Sequence, residues 1–232
     1  MELTEEELIG TYPRLWHMAH DGAWPAIRDH GLMSASALLD AYGVHGQRRH
    51  QLGSCRRPDS VRLEADGLPI AVLRDQKPMT DATLAKCLQD GLTPQDWYEL
   101  LNSRSFFWLS KQRVWRLLKA RAYRDVPQTV MTIDTASLVA AHRDRIWLSP
   151  INSGFSMMNA VPRGHDTFRR VDAFPFTSRA QTRAVADNVV ELVVDHSVAD
   201  LADHVIAVHS VRNDAVIGTV WQRPGAQPGD SP

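Results

Sequence analysis

The sequence predicts a single α+β domain, and three observations carry that expectation. Short apolar runs of strand length mix with amphipathic helical stretches in no βαβ rhythm. Neither GxGxxG nor GxxxxGKS/T occurs, which disfavours Rossmann and P-loop architectures. Hydrophobic residues are 44% and charged residues 23% of 232, so the chain can bury one sizeable core and wholesale disorder is disfavoured.

The elements follow in order. Thr4 with Glu7 is a capping-box pattern that opens a short helix, stopped by Pro13. Residues 15–19 read as a strand. Asp21 is placed to cap the helix that carries Trp24 and Ile27, and Gly31 to end it. Ser34 caps a second helix ending at Gly43. Residues 43–60 are polar, basic and glycine-containing, and read as a loop or broken helix. Strands are expected at 61–64 and 70–73, joined by a turn at Gly67-Leu-Pro69. Thr80 starts a helix to about Gln89, closed by Gly91, and Thr93-Pro94 opens the next. Phe106-Phe-Trp-Leu109 is a buried strand candidate. Ser110 caps an amphipathic helix over 111–123. A strand at 129–133, a helix at 136–142 and a strand at 145–148 come next. Residues 149–185 show no clean period and read as a long functional or insert loop. A strand at 189–194, a helical turn at 198–203 and a last strand at 205–211 complete the domain, which is bounded at 1–223. Residues 224–232 are expected to be disordered from their composition.

Basic and acidic side chains number 26 and 27, a net of −1, so no general attraction to nucleic acid or membrane is built in, though a local basic groove is allowed. Lys77, Lys86, Lys111 and Lys119 are the only lysines; the other basic residues are arginines, suited to bidentate phosphate binding. Cys55 and Cys87 form no CxxC pair and suggest neither a disulfide framework nor a structural zinc site. The acidic first residues do not resemble a signal peptide, and no apolar run reaches the roughly 18 residues of a membrane span, so a cytoplasmic protein is expected.

Three segments carry the candidate chemistry. His17 lies in a strand, where a fixed ring can hydrogen-bond a ribose hydroxyl or serve structure alone; without an HExxH pattern no metal site is expected. Phe106 and Trp108 share one strand face and Phe107 takes the other, so these aromatics stack on a planar ring or fill the core. Glu191 is a lone carboxylate in the β-branched run Val189-Val-Glu-Leu-Val-Val194. Such a group is paired, at an edge, or functional.

The order of these segments resembles ADP-ribosyltransferases, in particular the DarT-type nucleic-acid ADP-ribosyltransferases and their bacterial relatives. His17 through His30-Gly-Leu32 resembles the family's histidine strand and following turn. Ser105-Phe-Phe-Trp-Leu109 resembles its aromatic strand, and Ser149-Pro-Ile-Asn-Ser-Gly154 a loop bearing an asparagine. Val190-Glu-Leu-Val-Val194 resembles the catalytic-glutamate strand. The resemblance spans roughly residues 12–211 and implies two small, mainly antiparallel sheets around an NAD cleft with peripheral helices. It implies Glu191 and Arg74 as catalytic residues, with Arg48, Arg49 and Arg57 as rivals for the arginine. His17, Met18, Phe107, Trp108 and Asn152 would bind NAD, which is consumed as a substrate. The implied partners are a nucleic-acid acceptor and an antitoxin protein. A non-catalytic nucleotide-binding domain of this fold and an RNA 2′-phosphotransferase are the alternatives. Two departures stand out: residues 80–103 match nothing in the DarT pattern, and Ser110-Lys-Gln-Arg-Val114 replaces its Pro-Arg-Ser-Pro-like continuation.

Overall fold

A computed structural model describes residues 2–158, 160–176 and 188–232. The chain folds as an α+β domain whose centre is an antiparallel sheet. In chain order the elements are α1 (Glu5–Thr11), β1 (Arg14–His20), α2 (Trp24–His30), β2 (Leu32–Met33), α3 (Ala35–Ala41), α4 (Gly46–Gly53), β3 (Val61–Leu63) and β4 (Ala71–Leu73). There follow α5 (Asp81–Leu84), α6 (Pro94–Asn102), β5 (Arg104–Trp108), α7 (Lys111–Leu118), β6 (Gln128–Asp134), α8 (Thr135–His142) and β7 (Ile146–Ser149). The last are β8 (Glu191–Asp195), β9 (Ser197–Val198), α9 (Leu201–His204), β10 (Val205–Arg212) and β11 (Ala215–Gln222).

Seven strands join in the order β11-β10-β6-β1-β5-β8-β7, with β2-β9 and β3-β4 as separate two-stranded pieces. This corrects the expectation of two small sheets, but the large sheet is nearly divided. β1 and β6 are paired over seven residues, Arg14↔Asp134 to His20↔Gln128, whereas β1 meets β5 at the single pair Trp16↔Trp108. Beyond that pair the two halves separate, and the opening between them is the cleft described below.

Alternation along the strands divides the core. Leu15, Ala19, Phe107, Met131, Ile133 and Leu192 point to one face, where α1, α2, α8 and α9 pack. On the other face Val193 packs with Trp97, Tyr98 and Leu101 of α6, while Trp16, Met18 and Val130 pack with Val114 and Leu118 of α7.

Several local signals act as expected. The Thr4–Glu7 capping box forms, Ser34 Oγ accepts from the Ala37 N–H at 3.1 Å, and Thr93 and Asp96 form a capping box on α6. Gly31 ends α2 at φ 78°, and a Cβ there would lie 2.5 Å from Ala199 Cα, so this turn seats α2 on the α9 segment.

Other elements differ for physical reasons. Asp21 does not cap α2; Ala23 holds the N-cap position without a side-chain hydrogen bond. Residues 46–53 are helical, with Arg49 of α4 paired to Asp40 of α3 at 2.8 Å. The helix from Thr80 lasts only four residues, because the chain is drawn off into a bridge with Arg163: Arg163 N–H donates to Cys87 O at 2.9 Å and Gln89 N–H to Arg163 O at 2.8 Å. α7 stops at Leu118, short of the expected 123, and Tyr123 turns in to donate its hydroxyl to Asp75 at 3.0 Å. Within 149–185, 3₁₀ turns form at His165–Thr167 and Val171–Ala173, and Phe168, Phe174 and Phe176 are buried; residues 159 and 177–185 of that stretch lie outside the described residues. β11 is an additional strand. It pairs with β10 through two register shifts, which leave Ile217 and Val220 as bulged residues on an edge strand. The tail is seated rather than loose. Asp230 is buried with its carboxylate 2.7 Å from Arg14 Nε, and Lys111 Nζ donates to Gly229 O at 2.8 Å. Among the described residues no helix is long and apolar enough to cross a membrane.

Candidate active site

The cleft opens where β1 leaves β5 and has a volume of about 410 Å³. β1 brings His17, β5 brings Phe106 and Trp108, and β8 brings Glu191, so three segments separated by up to 174 positions become neighbours on adjacent strands. Arg74, Asn152 and Ser153 also line it, and the β3–β4 hairpin contributes Leu68 and Ile70 near Tyr42.

His17 Nδ1 lies 2.8 Å from the Phe106 carbonyl. A carbonyl only accepts, so Nδ1 carries the proton and Nε2 keeps its lone pair as an acceptor. Burial lowers this histidine to about 4; the Phe106 hydrogen bond opposes the shift and the Arg74 guanidinium adds to it, so the ring is neutral at physiological pH. The hydrogen bond spans the gap between the two sheet halves. The Phe107 ring, 1% exposed, stands 5.9 Å from the His17 ring, backing it from within the core. Met18 borders the cleft, but its side chain is buried among the residues under α7. Of the two aromatics expected to stack, Trp108 is the one left half-buried.

Glu191 opens β8 directly across from Trp108 and is 4% exposed. The Ser153 N–H donates to both carboxylate oxygens, at 3.3 and 3.2 Å. Burial raises this carboxyl to about 7, against the pull of Ser153 and of the Arg113 and Arg163 charges, so near neutral pH both protonation states are populated. Buried carboxyls tuned to this range suit general acid–base work and charge stabilisation.

Arg74 follows β4. Its guanidinium lies 4.5 Å from the Tyr123 ring centroid and Nη1 donates to Gln128 Oε1 at 3.0 Å. Among the described residues it forms no ion pair, so the cation remains available to an anion in the cleft. The rival arginines are placed differently. Arg57 is 5% exposed and donates to the carbonyls of Leu52 and Arg74 and to Asn102 Oδ1, which makes it the pin of its loop. Arg49 is engaged by Asp40, and neither Arg48 nor Arg49 lines the cleft. Asn152 is exposed at the mouth and lines both this cleft and a second cavity of about 620 Å³. That cavity shares Trp108, Leu117 and Tyr123 with the cleft and is edged by Arg113, Arg116 and Arg121.

Sequence reasoning missed Ser153. It acts through its backbone N–H, which no side-chain motif advertises, although the stretch around Asn152 marks the loop. The Tyr123–Asp75 support of Arg74 carried no local signal either. A further group, His142, Asp200 and His204, brings its donor atoms within 4.8 Å of one another. Arg145 Nη2 lies 2.8 Å from His142 Nδ1, which forces the proton onto Nε2, and Nε2 donates to Asp200 Oδ1 at 2.8 Å. The group ties α8 to α9.

The fold and the cleft define the class: an α+β domain with a partly divided antiparallel sheet that brings a neutral histidine and a buried carboxylate together. The chain belongs to a family of unknown function, DUF7002, which matches residues 13–205. No curated protein matches it.

Proposed function

We propose that the protein is an NAD-dependent ADP-ribosyltransferase of DarT-like kind. The observation that carries the reading is the meeting of His17, Trp108 and Glu191 in one cleft, on three neighbouring strands, in the chain order of the motifs that prompted it. His17 Nε2 accepts a hydroxyl of the nicotinamide ribose and Trp108 offers its face to the nicotinamide ring. Arg74 meets the pyrophosphate. The bond between the anomeric carbon and nicotinamide breaks with its electron pair leaving on nicotinamide. The ribose centre gains positive charge, and the ionised Glu191 stabilises it. An acceptor lone pair forms the new bond, and its proton passes to the Glu191 carboxylate.

The acceptor side is the second cavity, where Arg113, Arg116 and Arg121 stand with Trp108 and Phe155. Cations interleaved with aromatic rings suit a nucleic-acid strand, and this local excess sits in a chain of net charge −1. An RNA 2′-phosphotransferase needs several arginines converging on one phosphate; of the four considered, Arg74 alone faces the cleft as an uncommitted cation.

The test is calorimetric titration with NAD of the full chain and of His17→Ala and Arg74→Ala. Each substitution is expected to weaken binding about tenfold or more, as loss of a charge-assisted or buried hydrogen bond does. No binding to the parent protein at millimolar NAD would overturn the reading.

A further inference from the structure

Residues 80–103 match nothing in the resemblance, yet they bear on the reactive carboxylate. Trp97 of α6 is fully buried, and its indole N–H donates to Ser153 O at 3.3 Å. Arg163, 2% exposed, is tied by its backbone to Cys87 and Gln89 of the same segment. Its guanidinium lies 5.9 Å from the Trp97 ring centroid and spreads its fork into the adjoining loop: Nη1 donates to Ser153 O at 2.9 Å and Nη2 to Phe155 O at 2.9 Å. Thr83 and Ser156 add a hydroxyl contact at 2.7 Å. The loop is thus held by its carbonyls from the α6 side, while Ser153 N–H reaches the two oxygens of Glu191 on the other.

The charge of Arg163 has a second meaning. Its hydrogen bonds go to carbonyls, at Val161, Ser153 and Phe155, and among the described residues it forms no ion pair. A buried guanidinium without a carboxylate is costly, and an apolar side chain could fill the same space. The groups it feels are the Cys87 thiol and the Glu191 carboxylate, and the other cationic neighbour of Glu191 is Arg113 of α7.

We infer that Arg163 is a positioning residue for Glu191: anchored by the 80–103 segment, it fixes the Ser153 N–H on the carboxylate and supplies part of its counter-charge. The inference deepens the transferase reading and rests on it only for the kinetic readout. Its consequence is that the unmatched segment is part of the site's support.

The test follows the Glu191 carboxyl by ¹³C-glutamate NMR across pH, in the full chain without NAD, with Glu191→Gln assigning the resonance. In Arg163→Met the midpoint is expected to move up by about one pH unit, since a nearby cation and a fixed N–H donor both favour the ionised form. In Arg163→Lys, which keeps charge without the fork, it moves less. Should Arg163→Met not fold, Trp97→Phe, which removes only the indole donor to Ser153, is expected to move the midpoint the same way by a smaller amount. Midpoints unmoved in the folded variants overturn the inference. Nicotinamide release, measured alongside, is expected to show its acid limb displaced with the NMR midpoint and KM for NAD unchanged. A parent protein that releases no nicotinamide while the midpoint still moves sinks the transferase reading and leaves Arg163 as the group that sets Glu191.

Discussion

Replacing Glu191 with glutamine should stabilise the protein, and by an amount that depends on pH. Burial raises the Glu191 carboxyl from an ordinary 4.5 to about 7 in the folded protein. Between those values the folded state holds a proton that the unfolded chain has released, so stability falls as pH rises through the interval. Above about 7 both states are ionised and the whole penalty is present; below 4.5 both are protonated and there is none. At about 1.4 kcal/mol per pH unit the gap amounts to about 3 kcal/mol. Glutamine is nearly isosteric, keeps an oxygen for the Ser153 N–H and never ionises. Glu191→Gln should therefore be more stable than its parent by about 2–3 kcal/mol at pH 8 and by little at pH 4.5. His17 acts in the opposite direction over an overlapping range. Its lowered value means the unfolded chain gains a proton between about 6.5 and 4 that the folded ring refuses, so stability falls as pH drops there. The assay therefore compares variant with parent at each pH, by urea denaturation, rather than following the parent alone. A difference that is flat with pH, or a variant less stable at pH 8, refutes the account of Glu191 as a strained, buried acid.

Two further predictions rest on the arginines. Arg57→Met strands the carbonyls of Leu52 and Arg74 in the interior, while Asn102 Oδ1 keeps its 3.3 Å hydrogen bond from Gln76 Nε2. At roughly 1 kcal/mol or more for each of the two unmet acceptors, the loss should be about 2 kcal/mol, a fall of roughly 4–8 °C in Tm by scanning calorimetry; an unchanged Tm would contradict the reading of Arg57 as a structural pin. Arg116→Glu with Arg121→Glu should leave NAD affinity unchanged and weaken binding of a fluorescent single-stranded oligonucleotide at least tenfold, with a shallower salt dependence; an unaffected oligonucleotide affinity would remove the second cavity as the acceptor side.

Much of the fold was legible in the sequence because local chemistry and tertiary structure agree there. Thr4–Glu7, Ser34, Thr93-Pro94 and Gly31 start or stop their helices as their side chains and backbone preferences require. The strands of the site were legible from burial: His17, the aromatic run and Glu191 each stand out against apolar neighbours. What escaped was set by distant partners. Nothing local to residues 85–89 tells that Arg163 will pair with them and end the helix. Tyr123 looks like one more turn of α7 until Asp75 and Arg74 are placed beside it. β11 has no alternating apolar pattern, because nearly all its residues are exposed. The tail composes like a linker, and Arg14 and Lys111, more than a hundred positions away, give it a seat. In the site, the residues chosen by type do not sort by strand face: His17 shares its face with Phe107 and Trp108 with Met18, yet His17 and Trp108 border open space while the Phe107 and Met18 side chains turn into packing.

The central claim is that Glu191 serves the breaking of the nicotinamide bond of NAD in the β1–β5 cleft. Nicotinamide release by the full chain, followed by chromatography with and without single-stranded oligonucleotide, tests it most directly when Glu191→Gln is run beside the parent. The account predicts release by the parent and a loss of at least a hundredfold in Glu191→Gln, as expected when a charge-stabilising group is removed, with NAD still bound by the variant. Equal release by the two proteins would contradict it, and NAD binding without release under any condition would make the cleft a nucleotide-binding site without catalysis.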